Sequence, residues 1–478
     1  MKAPFSPYLD SIAPALKLAV KKLGADYDYV SALSTDSVGV RLSISRRSKT
    51  VSNTNMTTER GTVIRVAKDG LYSEFAFNEF DPSDPDGAVA ALKERVNAQL
   101  ALVRELGVKP YETGILSDEP LELFVEKEAE ILPENAELGG LVEKFTALSE
   151  KGIATVEGAL DCGVSGTSTH ISKMFITQNR FMRQSYVYTE GSYMAYAPDK
   201  NGEMKVIYEG VSGCGGLEVL DGISDILDKA PGLMRDMLSS EKIVPGEYEI
   251  ITDPGVSGLI AHEAFGHGVE MDMFVKNRAL GAQYINKRVG SDAVTMHEGA
   301  KCAESVTAYA FDDEGVLAGD VVEIDHGILK TGICDALSAL RLGVVPTGNG
   351  KREKYSHKVY TRMTNTLFEP GDADLEEMIA SVSDGFLLRG SESGMEDPKH
   401  WGIQCIVSRG YEIKNGKLTG RVVSPIVMTG YVPDLLNNVS MASRESGVFG
   451  NGACGKGHKE WVKVADGGPY LKTKARLG

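Results

Sequence analysis

The feature that most restricts this 478-residue chain is the passage Ile250-Ile251-Thr252-Asp253-Pro254-Gly255-Val256-Ser257-Gly258-Leu259-Ile260-Ala261-His262-Glu263-Ala264-Phe265-Gly266-His267. It reads as a strand running into a helix. Asp253 suits an N-cap, Pro254 suits the first turn, and Leu259, Ile260 and Ala261 give an apolar body that holds His262 and Glu263 in place. The histidines are five positions apart. In a regular α-helix that spacing leaves them about 140° apart around the axis, whereas four positions leave only about 40°. Two imidazoles so placed cannot share a metal ion. The spacing therefore predicts either a π-bulge, in which positions i and i+5 become neighbours, or a break at Gly266.

The pattern resembles the H-E-x-x-H helix of zinc peptidases lengthened by one residue. Catalytic zinc normally keeps three protein ligands and an open position, so a third ligand must come from elsewhere in the chain. By chemistry the candidates are Cys454, His297, His326, His458, Asp272 and Glu270. Cys454 is the first choice among them. It stands in Phe449-Gly450-Asn451-Gly452-Ala453-Cys454-Gly455-Lys456-Gly457, where glycines let backbone approach an ion and Lys456 is expected to favour the thiolate. The other cysteines, at 162, 214, 302, 334 and 405, read as reduced packing residues, since their spacing fits neither a disulfide scaffold nor a C-x-x-C pair.

Elsewhere the pattern is α+β. Leu9, Ile12, Leu16, Val20 and Leu23 recur at helical spacing before Gly24. Stretches 27–34, 37–45, 50–57 and 62–67 read as antiparallel strands, 88–106 as a helix after an Asp/Pro cluster, and 138–151 as a helix ended by Gly152. A second strand set covers 153–160, 168–177, 183–190, 193–197 and 204–211, and 223–238 reads as one helix. Further strands are expected at 307–311, 319–325 and 401–414, the last closing on an Asn415-Gly416 hairpin. The expected organisation is an N-terminal α+β region (1–115), a middle strand-rich region (116–230) and a C-terminal domain (231–478) carrying the distorted histidine helix. Fifty-one basic against sixty-seven acidic residues give a net charge of −16, which disfavours nucleic acid and anionic membrane as direct partners. The start of the chain lacks a signal-peptide pattern, no stretch is long and apolar enough for a spanning helix, and a cytoplasmic location is expected. Gly213–Gly216 and Thr347–Gly350 read as turns or substrate-cleft loops; neither matches a P-loop.

At the histidine helix and the downstream G-x-C of Gly452, Ala453 and Cys454, the chain resembles the TldD/PmbA family of metallopeptidases, once described as modulators of DNA gyrase. The segments 347–352, 362–366 and 415–417 are similar to the same family, and the likeness spans nearly the whole chain. The motif-bearing TldD type is the one resembled. The resemblance implies that His262, His267 and Cys454 bind zinc and that Glu263 is the general base. It also implies a homodimer, or a heterodimer with a motif-lacking PmbA/TldE-type relative. The expected activity is zinc-dependent hydrolysis of unstructured peptides. The alternative is a non-catalytic interaction or regulatory subunit, gyrase-modulator-like, with a structural metal or none.

Overall fold

The heptad-like spacing near the N-terminus forms helix α1 (Pro7–Leu23), capped by Ser6, whose side chain accepts from Leu9 N. Its buried face packs with α2 (Pro85–Glu105) on one side of an eight-stranded sheet. A computed structural model describes residues 1–53, 58–107, 111, 113–457 and 460–478. The sheet contains β1 (Tyr29–Ile44), β2 (Lys49–Ser52), β3 (Arg60–Lys68), β4 (Leu71–Phe77), β5 (Leu121–Glu126), β6 (Asp161–Ile176), β7 (Arg180–Pro198) and β8 (Met204–Cys214). Its order is β4-β3-β1-β6-β7-β5, with β2 beside β1 and β8 beside β7. Only β5 runs parallel to its neighbour. The opposite face is covered by α3 (Leu138–Thr155), α4 (Ile223–Leu227) and α5 (Ala230–Ser239). Strands from residues 29–77 and 121–214 thus share one sheet, and a second sheet is built from residues 246–477.

Several local readings change. Thr35 and Asp36, which separate the expected strands 27–34 and 37–45, lie inside β1, paired on both sides, and Asp36 is held by Arg60, so one continuous strand forms in place of two. The end of the expected strand 50–57 lies outside the described residues. Residues 183–190 and 193–197 belong to one continuous strand, β7. The helix α3 runs through Gly152 to Thr155, so 153–160 is not a strand. Gly152 is there for packing: a Cβ would stand 2.3 Å from Cys162 Sγ. The expected helix 223–238 divides into α4 and α5 because Pro231 in the first turn of α5 cannot donate to a preceding carbonyl. Residues 307–311 form no strand; the Thr307 and Tyr309 hydroxyls instead donate to Asn365 Oδ1 and Gly348 O.

The second sheet closes on itself. β9 (Gly246–Thr252) pairs in parallel with the strand Asp384–Asp397, which continues antiparallel through Gly402–Lys414, Ile426–Tyr431 and Ala465–Leu477. The last of these returns to pair with β9. A five-stranded barrel results, and closure removes two of the edges that an open sheet would expose. The helix following β9 is not laid on the outside. Its Val256, Ile260, Ala261, Ala264 and Phe265 share one core with the barrel residues Ile250, Leu388, Cys405, Val407, Met428 and Leu471. Among the described residues, no helix is long and apolar enough to cross a membrane.

Replacing a helical glycine by alanine ordinarily stabilises a helix by up to about 1 kcal/mol. At Gly152 the sign should reverse, because the added methyl meets the fully buried Cys162; Gly152→Ala is expected to lose about 1–3 kcal/mol by overpacking. Denaturant unfolding of the two proteins measures this directly, and a gain in stability would contradict the packing role.

Candidate metal centre

The strand-to-helix reading holds in detail. Asp253 accepts from Val256 N at 2.8 Å and from Gly390 N at 3.1 Å, and so ties the helix start to the neighbouring strand. One α-turn (α6, Pro254–Leu259) leads into a π-helix, Ile260–Gly266. The His267 N–H closes onto His262 O, an i+5 to i bond. Gly266 permits this turn, since a Cβ there would meet Met363 Sδ at 2.3 Å. The expected distortion is therefore a π-turn. Its result is that the two imidazoles, which a regular α-helix would splay apart, stand with ring centres 5.2 Å apart and planes at 87°.

Cys454 completes the group. One donor atom each from His262, His267 and Cys454 lie within 4.8 Å of one another, with Cys454 Sγ 3.4 Å from His267 Nε2. The glycine-rich loop expected around Cys454 is in fact a two-stranded ribbon, Ala453–Lys456 against Glu460–Lys463, in which Cys454 packs with Ile333, Met363, Val462 and Val464. The ribbon is anchored by two segments whose role the sequence left open. Arg362 donates to Cys454 O (2.5 Å) and Glu460 O (3.1 Å), and Lys351 Nζ donates to Lys463 O (2.6 Å). Asn349, Thr364 and Thr366 in turn converge on the buried carboxylate of Glu298. Residues 347–350 touch the ribbon only indirectly, Asn349 donating to Glu298 and to Arg362 O. Gly213–Gly216 ends β8, and Gly215 exchanges hydrogen bonds with Val187 and Thr189.

The rival ligands are placed elsewhere. Glu270 accepts from His267 Nδ1 at 3.1 Å, on the ring edge opposite Cys454. Lys456 sits 3.0 Å from Glu270 and 2.7 Å from Asp272, so it holds these carboxylates and does not act on the thiol. His297 is bound between Asp320 and Glu369, and His326 contacts Asp292 O. His458 lies outside the described residues. The carboxylate of Glu263 is 3.9 Å from His267 Nε2, and it reaches there across Gly394, where a Cβ would come within 2.4 Å of Glu263 Cγ. Asp466 and Glu396, which sequence reading missed, line the same cleft of about 930 Å³. A period-2 reading of Gly394 and Glu396 would have put both on one strand face.

The donor set fits a zinc ion. His262 Nδ1 is buried without a hydrogen-bond partner, an arrangement that otherwise costs about 1–3 kcal/mol. Burial pushes the Cys454 thiol up, but the facing His267 and His262 outweigh it and bring it down to about 4. Burial likewise favours neutral imidazoles, yet the Cys454 thiolate raises both, and Glu270 adds to the rise at His267. In the metal-free protein the thiol is thus driven towards its ionised form and the imidazoles towards their protonated forms. An incoming zinc ion must displace those protons. Affinity should therefore climb with pH, past the ordinary histidine value, until the imidazoles are neutral and then level off, with little contribution from thiol ionisation. Chelator competition across about pH 6 to 9 measures this; a flat profile would contradict it.

Residues 245–474 match the family described as PmbA/TldA metallopeptidase C-terminal domain. A metalloprotease of Methanocaldococcus jannaschii is 31% identical over 285 residues, 60% of this chain and 62% of that one. The zinc metalloprotease TldD homolog of Saccharolobus solfataricus is 32% identical over 254 residues, 53% of this chain and 56% of that one. The alignments thus span less than two thirds of either relative. TldE from Thermococcus kodakarensis has the same fold, with a TM-score of 0.74 over 97% of this chain and 100% of that chain at 18% identity.

Proposed function

The chain belongs to the TldD/PmbA family, and from that membership we propose that it is a zinc-dependent peptidase acting on unfolded or flexible polypeptides. His262, His267 and Cys454 hold the metal in this reading, and Glu263 is the general base. The observation that carries it is the grouping of two imidazoles and a thiolate within 4.8 Å, with a carboxylate 3.9 Å from one of them, on the wall of an open cleft.

Zinc held by two imidazoles and one thiolate supplies Lewis acidity, polarising a scissile carbonyl and bringing the pKa of water towards about 7. The protein's own groups do the rest. His267 donates its Nδ1–H to Glu270, which fixes the ring and leaves Nε2 as the ligand atom; Lys456 keeps Glu270 ionised for that purpose. Glu263 accepts the proton of the attacking water and returns it to the departing amine. A thiolate in place of a third imidazole moderates the Lewis acidity, which suits a slow processing enzyme more than a digestive one.

The cleft favours extended chains. The strand Asp384–Asp397 pairs with β9 only over Gly385–Leu388, and from Ser391 onward its second edge has no strand partner among the described residues. Glu263 packs over the face of this strand at Gly394 and both line the cleft, so a peptide adding to the open edge as a strand would pass close to the metal centre. β8 of the first sheet, through Tyr208 and Glu209, supplies the facing wall. Pairing with a second copy or with a motif-lacking TldE-type relative is part of the proposal, supported by the shared fold with TldE; a cytoplasmic location, part of it too, rests on the sequence reading alone. A non-catalytic subunit with a structural metal would have no use for Glu263 or for the open cleft.

Glu263→Ala should keep its zinc and lose about 10²–10⁴-fold in cleavage of an unstructured peptide, whereas Cys454→Ser should stay folded and lose zinc. Metal analysis together with mass-spectrometric cleavage assays reads both. Cleavage by Glu263→Ala at the wild-type rate would rule out the mechanism, and full zinc retention by Cys454→Ser would remove the thiol from the ligand set.

A further inference from the structure

The cleft is much richer in carboxylates than in cations. Glu209, Asp253, Glu263, Glu392, Glu396 and Asp466 line it, while Lys456, the one Lys or Arg among its described lining residues, is already bound to Glu270 and Asp272. Two of these carboxylates have structural partners: Glu209 receives Arg409 at 3.4 Å, and Asp253 caps the metal helix. Glu396 has none. Both of its oxygens are buried and without a hydrogen-bond partner. The indole N–H of Trp401 is also buried and unpartnered, and it converges on the same spot. A Cβ on Gly268 would stand 2.7 Å from Glu396 Oε1 and 2.9 Å from Trp401 Nε1, so the space beside His267 is kept open by a glycine. A buried carboxylate with nothing to bind is costly, and a donor brought in by a ligand removes that cost.

Its position is informative. Gly394 is the residue against which Glu263 packs, and Glu396, two positions along, lies on the same strand face about 7 Å away. That is about the length of two residues of an extended peptide lying alongside. Outside the metal centre the other lining residues are uncharged, apolar Met273, Met395, Phe449 and Trp461 with polar Ser391, Ser393 and Asn451 among them, so charge recognition falls to the carboxylates. Resting on the peptidase reading, we propose that Glu396 is the charge-selecting residue of the substrate cleft. It receives the side chain of a Lys or Arg about two residues from the scissile bond, and Glu392, exposed on the same strand, adds to the rejection of acidic residues.

The test uses the zinc-loaded full chain and N-acetylated unstructured peptides of about twelve residues. These are identical except for one position, moved across the three residues on each side of the bond that is cut and occupied by Lys, norleucine or Glu. At one position the wild type should prefer Lys over norleucine by about 10-fold in kcat/KM, with Glu slowest. In Glu396→Gln, at unchanged zinc content, the Lys-to-norleucine ratio should fall to within about 2-fold. Glu392→Gln, at an exposed site, should relieve part of the discrimination against Glu. Equal rates for the three residues at every position in the wild type would overturn the inference whatever the variants do. An undiminished ratio in Glu396→Gln would overturn the role of that residue. Failure of the zinc-loaded wild type to cut any peptide would instead overturn the peptidase reading, and this inference with it.

Discussion

The candidate site depends on the π-helical run Ile260–Gly266, which the His267 N–H closes by donating to His262 O. It replaces regular α-turns, and so brings together two imidazoles that the sequence spacing would otherwise put about 140° apart. The surrounding structure supports this irregular turn from several sides. Gly266 leaves room against Met363, Asp253 fixes the helix start to the barrel, and the barrel core buries the apolar residues between. An irregular helix of this kind is retained when its environment determines it from more than one direction.

Around that turn, charge is arranged in layers. The thiolate of Cys454 faces the imidazoles, Glu270 fixes the outer edge of His267, and Lys456 balances Glu270 and Asp272 together. Removing one member of such a buried chain leaves another charge unpaired, so these groups act as a unit. A further shell of Arg362, Lys351 and Glu298 ties down the ribbon that carries the thiol. The sparsely paired acidic wall beyond it, which includes the unpartnered carboxylate of Glu396, is the part of the site left open to a ligand.

The sequence made the local half of this arrangement legible. Asp253, Pro254 and the apolar run before His262 predict a capped helix, and the five-residue spacing predicts its distortion, because both depend only on neighbours along the chain. Cys454 lies 187 residues beyond His267, so spacing could suggest its chemistry and not its place. Glu270 and Asp272 entered as rival ligands on chemistry alone; only the fold turns them towards the outer edge of His267 and towards Lys456. The same limit explains the errors in the fold. Gly152 looks like a helix stop until Cys162 is seen against it, and Thr35-Asp36 looks like a break between two strands until strands pair on both sides of it. Barrel closure by the last strand onto β9 joins segments more than two hundred residues apart, and no local pattern announces it.

The central claim is that the π-turn and the distant ribbon together present two nitrogens and one sulfur to a single zinc ion. X-ray absorption spectroscopy of the zinc-loaded protein measures that ligand set directly. It should show one sulfur at about 2.3 Å and two imidazole nitrogens at about 2.0–2.1 Å, with the remaining ligand a light atom. A shell of nitrogen and oxygen without sulfur, or with a single imidazole, would contradict it.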